Sequence, residues 1–494
     1  MTLRTAHGRR FRRNHFAPGA MRGTLRACAA AQAGNAAMGI SGQRAITMRQ
    51  ALLLGATLCL LPLASASADT LQDAFDKAYL ANPTLQAERA QLRATDEGLP
   101  QAIALRRPTI TGTGDAGYER LDYSTVGAQD LWQRSIALGV SQPLWTGGRA
   151  DAAISQADYL VNAERANLMN VEEQVLLAAA TAYLDVVRDQ ANLGLAQSNV
   201  KVLSAALDQA KAQLNAGLAT KTDVAQAEAR LAQGVANESV AEANLTNSRA
   251  EYQQVVGEMP GTLEAVPPVQ GLPGTQDESL RLANLHNPQI LTAEANWEAA
   301  RAGVDVARAD LMPSVALSGQ LFDANDQQVQ GDWQQGAQVL ITLTIPFYQA
   351  GGEFSKIRQA KQTYGERQNQ IDAAVRSVTQ STTDSWQNME AAQANIASFT
   401  SQIQANEIAF KGTEEEQKVG TRTFLDVLNA QQELFQSQVE LVDAQHDQAV
   451  NAFQIKAAIG DLTADSLALN VDHYDPTVHY KAVREKWWGS EAGA

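Results

Sequence analysis

The sequence predicts a mixed α/β membrane protein, mainly helical. It is built as two tandem copies of one half-molecule, with four β-strands that need further chains to close a barrel. Three observations carry this: motifs that recur after about 200 residues, two long proline-free stretches, and alternating strands just before each stretch.

The duplication is read from motifs in order. Leu80-Ala81-Asn82-Pro83 returns as Leu285-His286-Asn287-Pro288, and Pro108 followed by Gly114 returns as Pro313 followed by Gly319. Pro143-Leu144-Trp145-Thr146-Gly147-Gly148 returns as Pro346-Phe347-Tyr348-Gln349-Ala350-Gly351-Gly352, which pairs Gly147-Gly148 with Gly351-Gly352. Gly217 with Asp223-Val224 returns as Gly420 with Asp426-Val427, and Gly257 returns as Gly460. The offset is 205 early and 203 from Gly217 onward. Such a period is too long for a solenoid unit. It divides the chain into repeat 1 (69–260), a linker (261–275), repeat 2 (276–462) and a C-terminal tail (463–494). The linker is marked by Pro260, Pro267, Pro268 and Pro273 with interspersed glycines. The tail is polar, and its last residues are expected to be irregular.

Each copy predicts very long helices. No proline occurs from Leu144 to Met259 or from Phe347 to Asp475, and proline costs roughly 3 kcal/mol inside a helix. Leu193, Ala196, Val200, Leu203, Leu207, Ala210 and Leu214 step by three and four, a seam for helix–helix packing. In copy two Ile396, Phe399, Ile403, Asn406 and Phe410 keep the seam with one polar interruption. A helix over 150–214 would be about 100 Å long. A rod of that length must pack against neighbours along its course.

The strands precede the glycine pairs. Ile136, Leu138 and Val140 alternate with small or polar residues, as do Val315, Leu317 and Leu321, and Val339, Ile341, Leu343 and Ile345. The segment Thr109–Tyr123 alternates weakly. One-sided strands of about ten residues fit a transmembrane barrel, and a hairpin on a soluble sheet shows the same period. The count separates the two. Two hairpins give four strands, whereas the smallest membrane barrels use about eight. An open edge in lipid costs several kcal/mol for each unpaired group. If these strands enter a membrane, several chains share the barrel.

Compartment and chemistry are bounded next. Met48-Arg49-Gln50, the apolar run Ala51–Leu63 and Ala66-Ser67-Ala68 read as a signal peptide (48–68) cleaved before Asp69. Residues 1–47 hold eight Arg and no acidic residue, and read as an extension from a start placed too early. Cys28 and Cys59 are the only cysteines, so the exported chain is expected to have no disulfide and no cysteine site. The full chain carries 39 basic and 54 acidic residues; loss of nine Arg before Asp69 leaves 30 against 54. Such an acidic chain is a poor nucleic-acid binder. His286, His446, His473 and His479 form no metal spacing, and no catalytic order stands out. Neither an enzyme nor a cofactor is expected. A soluble coiled-coil periplasmic adaptor would explain the heptads but not the hairpins.

The duplicated Asn-Pro start, the Pro-[Leu/Phe]-aromatic-x-Gly-Gly element and the two Gly-x5-Asp-Val turns, in this order, resemble the TolC-like outer-membrane efflux protein family over about residues 69–465. The tail Tyr474-Asp475-Pro476, His479-Tyr480 and Trp487 resembles members that serve type I secretion. The resemblance implies a homotrimer with a 12-stranded transmembrane β-barrel in outer-membrane lipid, continuing into a periplasmic α-helical barrel. It implies a periplasmic adaptor (membrane fusion) protein and an inner-membrane ABC or proton-driven transporter as partners. The exported cargo is then protein, by type I secretion, with multidrug efflux as the alternative.

The same resemblance puts the turns at Gly217 and Gly420 at the periplasmic pore constriction. Read from the residues alone, the glycines serve as helix C-caps, and Thr or Asp in each turn, Asp223 and Asp426 among them, caps the next helix. The family adds gating. Asp426 would stand in an acidic ring, Asn429 occupies the place of a second acid in many relatives, and Arg422 would bond across to Thr222 and Asp223.

Overall fold

The computed structural model describes residues 69–125 and 127–491. The signal peptide and N-terminal extension read at 1–68 lie outside the described residues. The first copy runs α1 (Leu71–Ala81), α2 (Pro83–Asp96), α3 (Gly98–Ala104), β1 (Thr109–Tyr123), β2 (Gly127–Trp145), α4 (Arg149–Asn215), α5 (Lys221–Val256). The second runs α6 (Gln276–His286), α7 (Pro288–Ala309), β3 (Ser314–Asn325), β4 (Trp333–Thr344), α8 (Gly352–Lys418), α9 (Phe424–Ala458). A short α10 (Val478–Val483) lies in the tail. Helices α4 and α8 each have 67 residues, about 100 Å at 1.5 Å per residue.

The Asn-Pro motif has a physical reason in both copies. Asn82 Oδ1 accepts from Thr84 N–H at 2.9 Å, and Asn287 Oδ1 accepts from Gln289 N–H at 2.9 Å. Proline follows at the first helical position, where no N–H is needed. Each Asn Nδ2 then donates, at 2.9 Å, to a carbonyl near the end of the returning long helix, Val255 or Ala458. One side chain therefore caps a helix start and a helix end.

The glycine pairs correct the sequence alignment. Gly147 and Gly148 have φ of 65° and 86°, and the matching conformations are at Ala350 (57°) and Gly351 (80°). Helix α8 begins at Gly352 as α4 begins at Arg149. The pair Gly351-Gly352 is thus one residue out of register with Gly147-Gly148. Two left-handed residues are needed to turn from strand into helix, and alanine fills the first in copy two. The change of offset also falls earlier than Gly217. It lies in the hairpins, since Pro108 to Pro143 is two residues longer than Pro313 to Pro346.

All four strands pair antiparallel in the order β1-β2-β3-β4. Partners in register share a face. One face carries Ile110, Ile136, Leu138, Leu321, Val339 and Ile341, all exposed. Strand β1 looks weakly alternating because this face holds Gly112, Gly114 and Ala116 between Ile110 and Tyr118. The opposite face is largely polar or small, with Leu131, Phe322 and Leu340 among it: Ser135 Oγ donates to Asp115 at 3.2 Å and Gln133 Nε2 to Glu119 at 2.7 Å. Aromatic rings mark both ends. Tyr118 and Trp132, with ring centroids 5.1 Å apart, stand near Trp333 at one end. Trp145, Phe347 and Tyr348 are exposed at the other. Along β4 the apolar positions run from Ala337 through Val339, Ile341 and Leu343 to Ile345 just past its end, roughly 20 Å in height at ordinary strand rise and tilt, and Arg134, Asp323 and Gln335 bound them on the same face.

The main core lies where the long helices meet the short ones. Phe75, Tyr79, Leu85, Leu176, Tyr183 and Tyr252 are buried there. Tyr183 OH donates to the carbonyls of Asp69 (2.9 Å) and Glu264 (2.8 Å), closing the linker onto α4. Beyond α10 the described tail, 484–491, has no helix or strand. His479 Nδ1 lies 3.1 Å from Asp96 Oδ2 with both side chains buried, and Tyr480 OH donates to Asp158 at 2.8 Å.

Candidate functional site

The two tip turns are built alike. Gly217 N–H donates to Leu214 O and Leu218 N–H to Gln213 O; Gly420 N–H donates to Gln417 O and Thr421 N–H to Glu416 O. With φ of 76° and 83°, both glycines take the left-handed helix-ending conformation. Each following helix starts with a capping box. Thr220 N–H donates to Asp223 Oδ2 at 2.8 Å, and Thr423 N–H to Asp426 Oδ2 at 3.0 Å. The threonine hydroxyls accept in return from the aspartate N–H groups at 3.2 and 3.3 Å. The hydroxyl and amide of Thr423 hold the Asp426 carboxyl below its usual range.

The turns differ in what surrounds them. Arg422 Nε donates to Glu416 Oε2 at 2.9 Å within its own turn, and no bond from Arg422 to Thr222 or Asp223 occurs in the single chain. Thr222 is exposed. Asn429 is held across the hairpins: its Oδ1 accepts from Arg230 of α5 at 2.8 Å. Phe424, where copy one has Lys221, is buried with Leu203, Leu207, Ala210, Ala227 and Leu428. It ties the start of α9 to α4 and α5. Gln431 Nε2 donates to Asn199 Oδ1 at 3.2 Å one step further in.

Sequence reasoning found the capping residues, because caps follow from local spacing. It missed Glu416, Arg230 and the buried role of Phe424. Only the contrast between Phe424 and Lys221 hinted at the last. It also missed a polar seam between α4 and α9. His446 Nε2 lies 2.9 Å from Asp185, which pairs with Arg188 at 2.8 Å, and Asn192 donates to Asp443 at 3.2 Å. Burial disfavours the His446 cation, but bonds to Asp185 and Asp447 overcome it and raise the pKa. Asn406, the polar break in the second heptad seam, donates to Glu433 O at 3.2 Å and Ser437 at 3.3 Å, so it is satisfied across to α9.

Among the described residues no helix is long and apolar enough to cross a membrane, and no group of three or more His, Cys, Asp or Glu could hold a metal. A sheet with an exposed apolar band, aromatic rings at both ends and a largely polar back has the pattern of strands in an outer-membrane barrel. Joined to helical hairpins of this length, it defines the class of outer-membrane channels with a helical extension.

Comparison with known proteins agrees. The profile of the family described as outer membrane efflux protein matches residues 74–258 and 280–461. The outer membrane efflux protein BepC of Brucella suis biovar 1 (strain 1330) is 34% identical over 444 residues, covering 89% of this chain and 95% of BepC. TolC of Escherichia coli (strain K12) is 26% identical over 423 residues, covering 82% and 85%. The CmeC outer membrane channel of Campylobacter jejuni superposes with a TM-score of 0.73 at 15% identity, over 84% of this chain and 89% of that one. The chain belongs to the outer membrane efflux protein family, and its site is the bacterial outer membrane. Members of this family are channels.

Proposed function

We propose that three copies of this chain form one channel-tunnel, which carries substrate from an inner-membrane transporter and its periplasmic adaptor across the periplasm and outer membrane. The observation that carries this is that both layers end open on matching sides. In the sheet, β1 and β4 have free outer edges among the described strands. In the helical layer α5 lies beside α4, α7 and α9 lie between α4 and α8, and so α5 and α8 are the ends. Copy one thus closes one side of both layers and copy two the other. A single head-to-tail rotation satisfies both, and three chains bring twelve strands, enough for a closed barrel. Exposed Val235 and Val240 on α5 and Ile408 on α8 are the apolar positions such a contact would cover.

The tip turns are the gate in this reading. Asp426, once per chain, forms an acidic ring that favours cations. Arg422 holds the ring closed by reaching Thr222 and Asp223 as well as Glu416. Asn429 leaves the ring with less charge than a second acid would supply, and Gly217 and Gly420 let the chain reverse at the constriction. The cargo is protein, exported by type I secretion, as the tail's likeness to such members supports. Small-molecule efflux is the second reading, favoured by the likeness to an efflux protein over nearly the whole chain. Cross-linking in cells tests both: an ABC transporter recovered with the adaptor supports secretion, and a proton-driven pump supports efflux. A monomer absent from outer-membrane fractions would sink the channel reading.

A further inference from the structure

We propose that the C-terminal Trp487-Trp488 pair is a second membrane anchor, seated in the headgroup region of the leaflet at the periplasmic end of the sheet. This rests on the barrel reading above. Trp487 and Trp488 are 57% and 84% exposed, with ring centroids 6.4 Å apart. Two large apolar rings side by side in water are unfavourable unless something covers them.

Their position is fixed rather than trailing. Val483 is buried, as is the His479–Asp96 pair. Arg107 Nη1 donates to Lys486 O at 2.7 Å, and its guanidinium stacks on Trp487 at 4.6 Å. Arg107 stands two residues before β1. The neighbouring Arg106 carbonyl accepts from Gln142 Nε2 at 2.9 Å, near the end of β2. The tryptophans therefore sit at the level of Trp145, Phe347 and Tyr348, where the exposed apolar band ends. That continuity with the lipid-facing band identifies lipid as the occupant, since tryptophan concentrates at the headgroup boundary.

Charge agrees. Arg107 stacks on Trp487 and Lys486 directly precedes it, so two cations stand beside the rings to meet lipid phosphates. The two copies also differ here. Copy two carries Phe347-Tyr348 at this boundary where copy one carries Leu144-Trp145, and Arg107 of copy one corresponds to Met312. The tail brings an aromatic pair to the half that has fewer.

The chain from Asp69 onward has no cysteine, so Trp488→Cys can carry a single environment-sensitive fluorophore. The exported chain, from Asp69 onward, is reconstituted in phospholipid vesicles, with Ile341→Cys on the apolar strand face and Leu218→Cys at the exposed tip as references. Lipids with a shallow nitroxide are expected to remove most of the fluorescence at 488 and at 341 but not at 218, and aqueous iodide is expected to reach only 218. A label at 488 open to iodide overturns the anchor, as does one shielded from iodide but untouched by nitroxide lipid, which means a neighbouring chain covers it. In either case quenching at 341 leaves the barrel standing. Absence of quenching at 341 overturns the barrel reading, and the anchor falls with it.

Discussion

Phe424→Ala tests whether the unlike ends of the two copies lock the tip. Phe424 is 9% exposed and touches side chains from both helices of the other hairpin. Truncating a buried phenylalanine costs roughly 3–5 kcal/mol, and the lower end applies at the rim of a small cluster. A loss of about 3 kcal/mol raises a local opening equilibrium roughly 10²-fold. Hydrogen exchange by mass spectrometry on the assembled protein reads this directly. Peptides over 203–210 and 224–231 are expected to lose protection by about that factor, while those around Tyr183 in the main core keep theirs. Leu218→Ala, at an 81% exposed position of the opposite turn, is the control and is expected to change neither. Conductance in planar bilayers should rise in Phe424→Ala alone. Unchanged protection at the tip would refute the lock, and an even loss across the chain would show that Phe424 serves general stability instead.

Four further outcomes are expected. Arg422→Ala should raise conductance. Its visible partner Glu416 is half-exposed, and such a pair is worth about 0–1 kcal/mol, so opening by more than about fivefold points to a bond reaching another turn, and unchanged conductance removes Arg422 from the gate. Asp426→Asn should weaken cation preference, read as a reversal potential in a salt gradient. Because the Thr423 cap depresses the Asp426 pKa, the charge persists below the ordinary carboxylate range, and selectivity already lost at pH 5 would mean that ring repulsion outweighs the cap. Glu173→Gln should raise the melting temperature at neutral and alkaline pH but not at pH 4. Burial, then Glu172 and Asp461, push Glu173 up to about 9, so its stability contribution is full below the unfolded value and is lost as pH rises toward the folded one; an unchanged pH slope in the variant would refute this. His446→Gln should abolish a pH dependence of protection along the α4–α9 seam. The His446 pKa is raised, so its contribution is present below about 6.5 and lost as pH rises through the higher folded value. The Asp185 pKa is lowered despite burial, through His446 and Arg188, so its contribution holds until strongly acid pH. Protection that is flat from pH 6 to 8 in the unsubstituted protein would refute the coupling.

The order of elements was legible because each rested on a local rule. Helix α4 was expected over 150–214 and spans Arg149–Asn215, since proline absence and a three-four step need no knowledge of neighbours. The caps at Asp223 and Asp426 were legible for the same reason: a capping box closes within four residues. The seam between the hairpins was not. Asp185 and His446 are far apart in the chain, and a lone histidine in an Ala-rich helix carries no mark of the carboxylate it will meet. The glycine register was misread because the turn asks for a left-handed backbone at two positions, not for two glycines, and Ala350 meets the demand at some strain. The contacts that hold the tail, such as His479 with Asp96, were not legible either, because long-range pairs have no period. The seam and the tail contacts share a cause that bears on the gate. Whatever joins one hairpin to the other is non-local, and in the tip it differs between copies: Phe424 is buried against the other hairpin where Lys221 is exposed, and Asn429, where copy one has Gln226, accepts from Arg230. A duplication alone would give two equal turns. The substitutions that make them unequal fall on the residues that hold the hairpins together, so a movement of one hairpin relative to the other must break those contacts first.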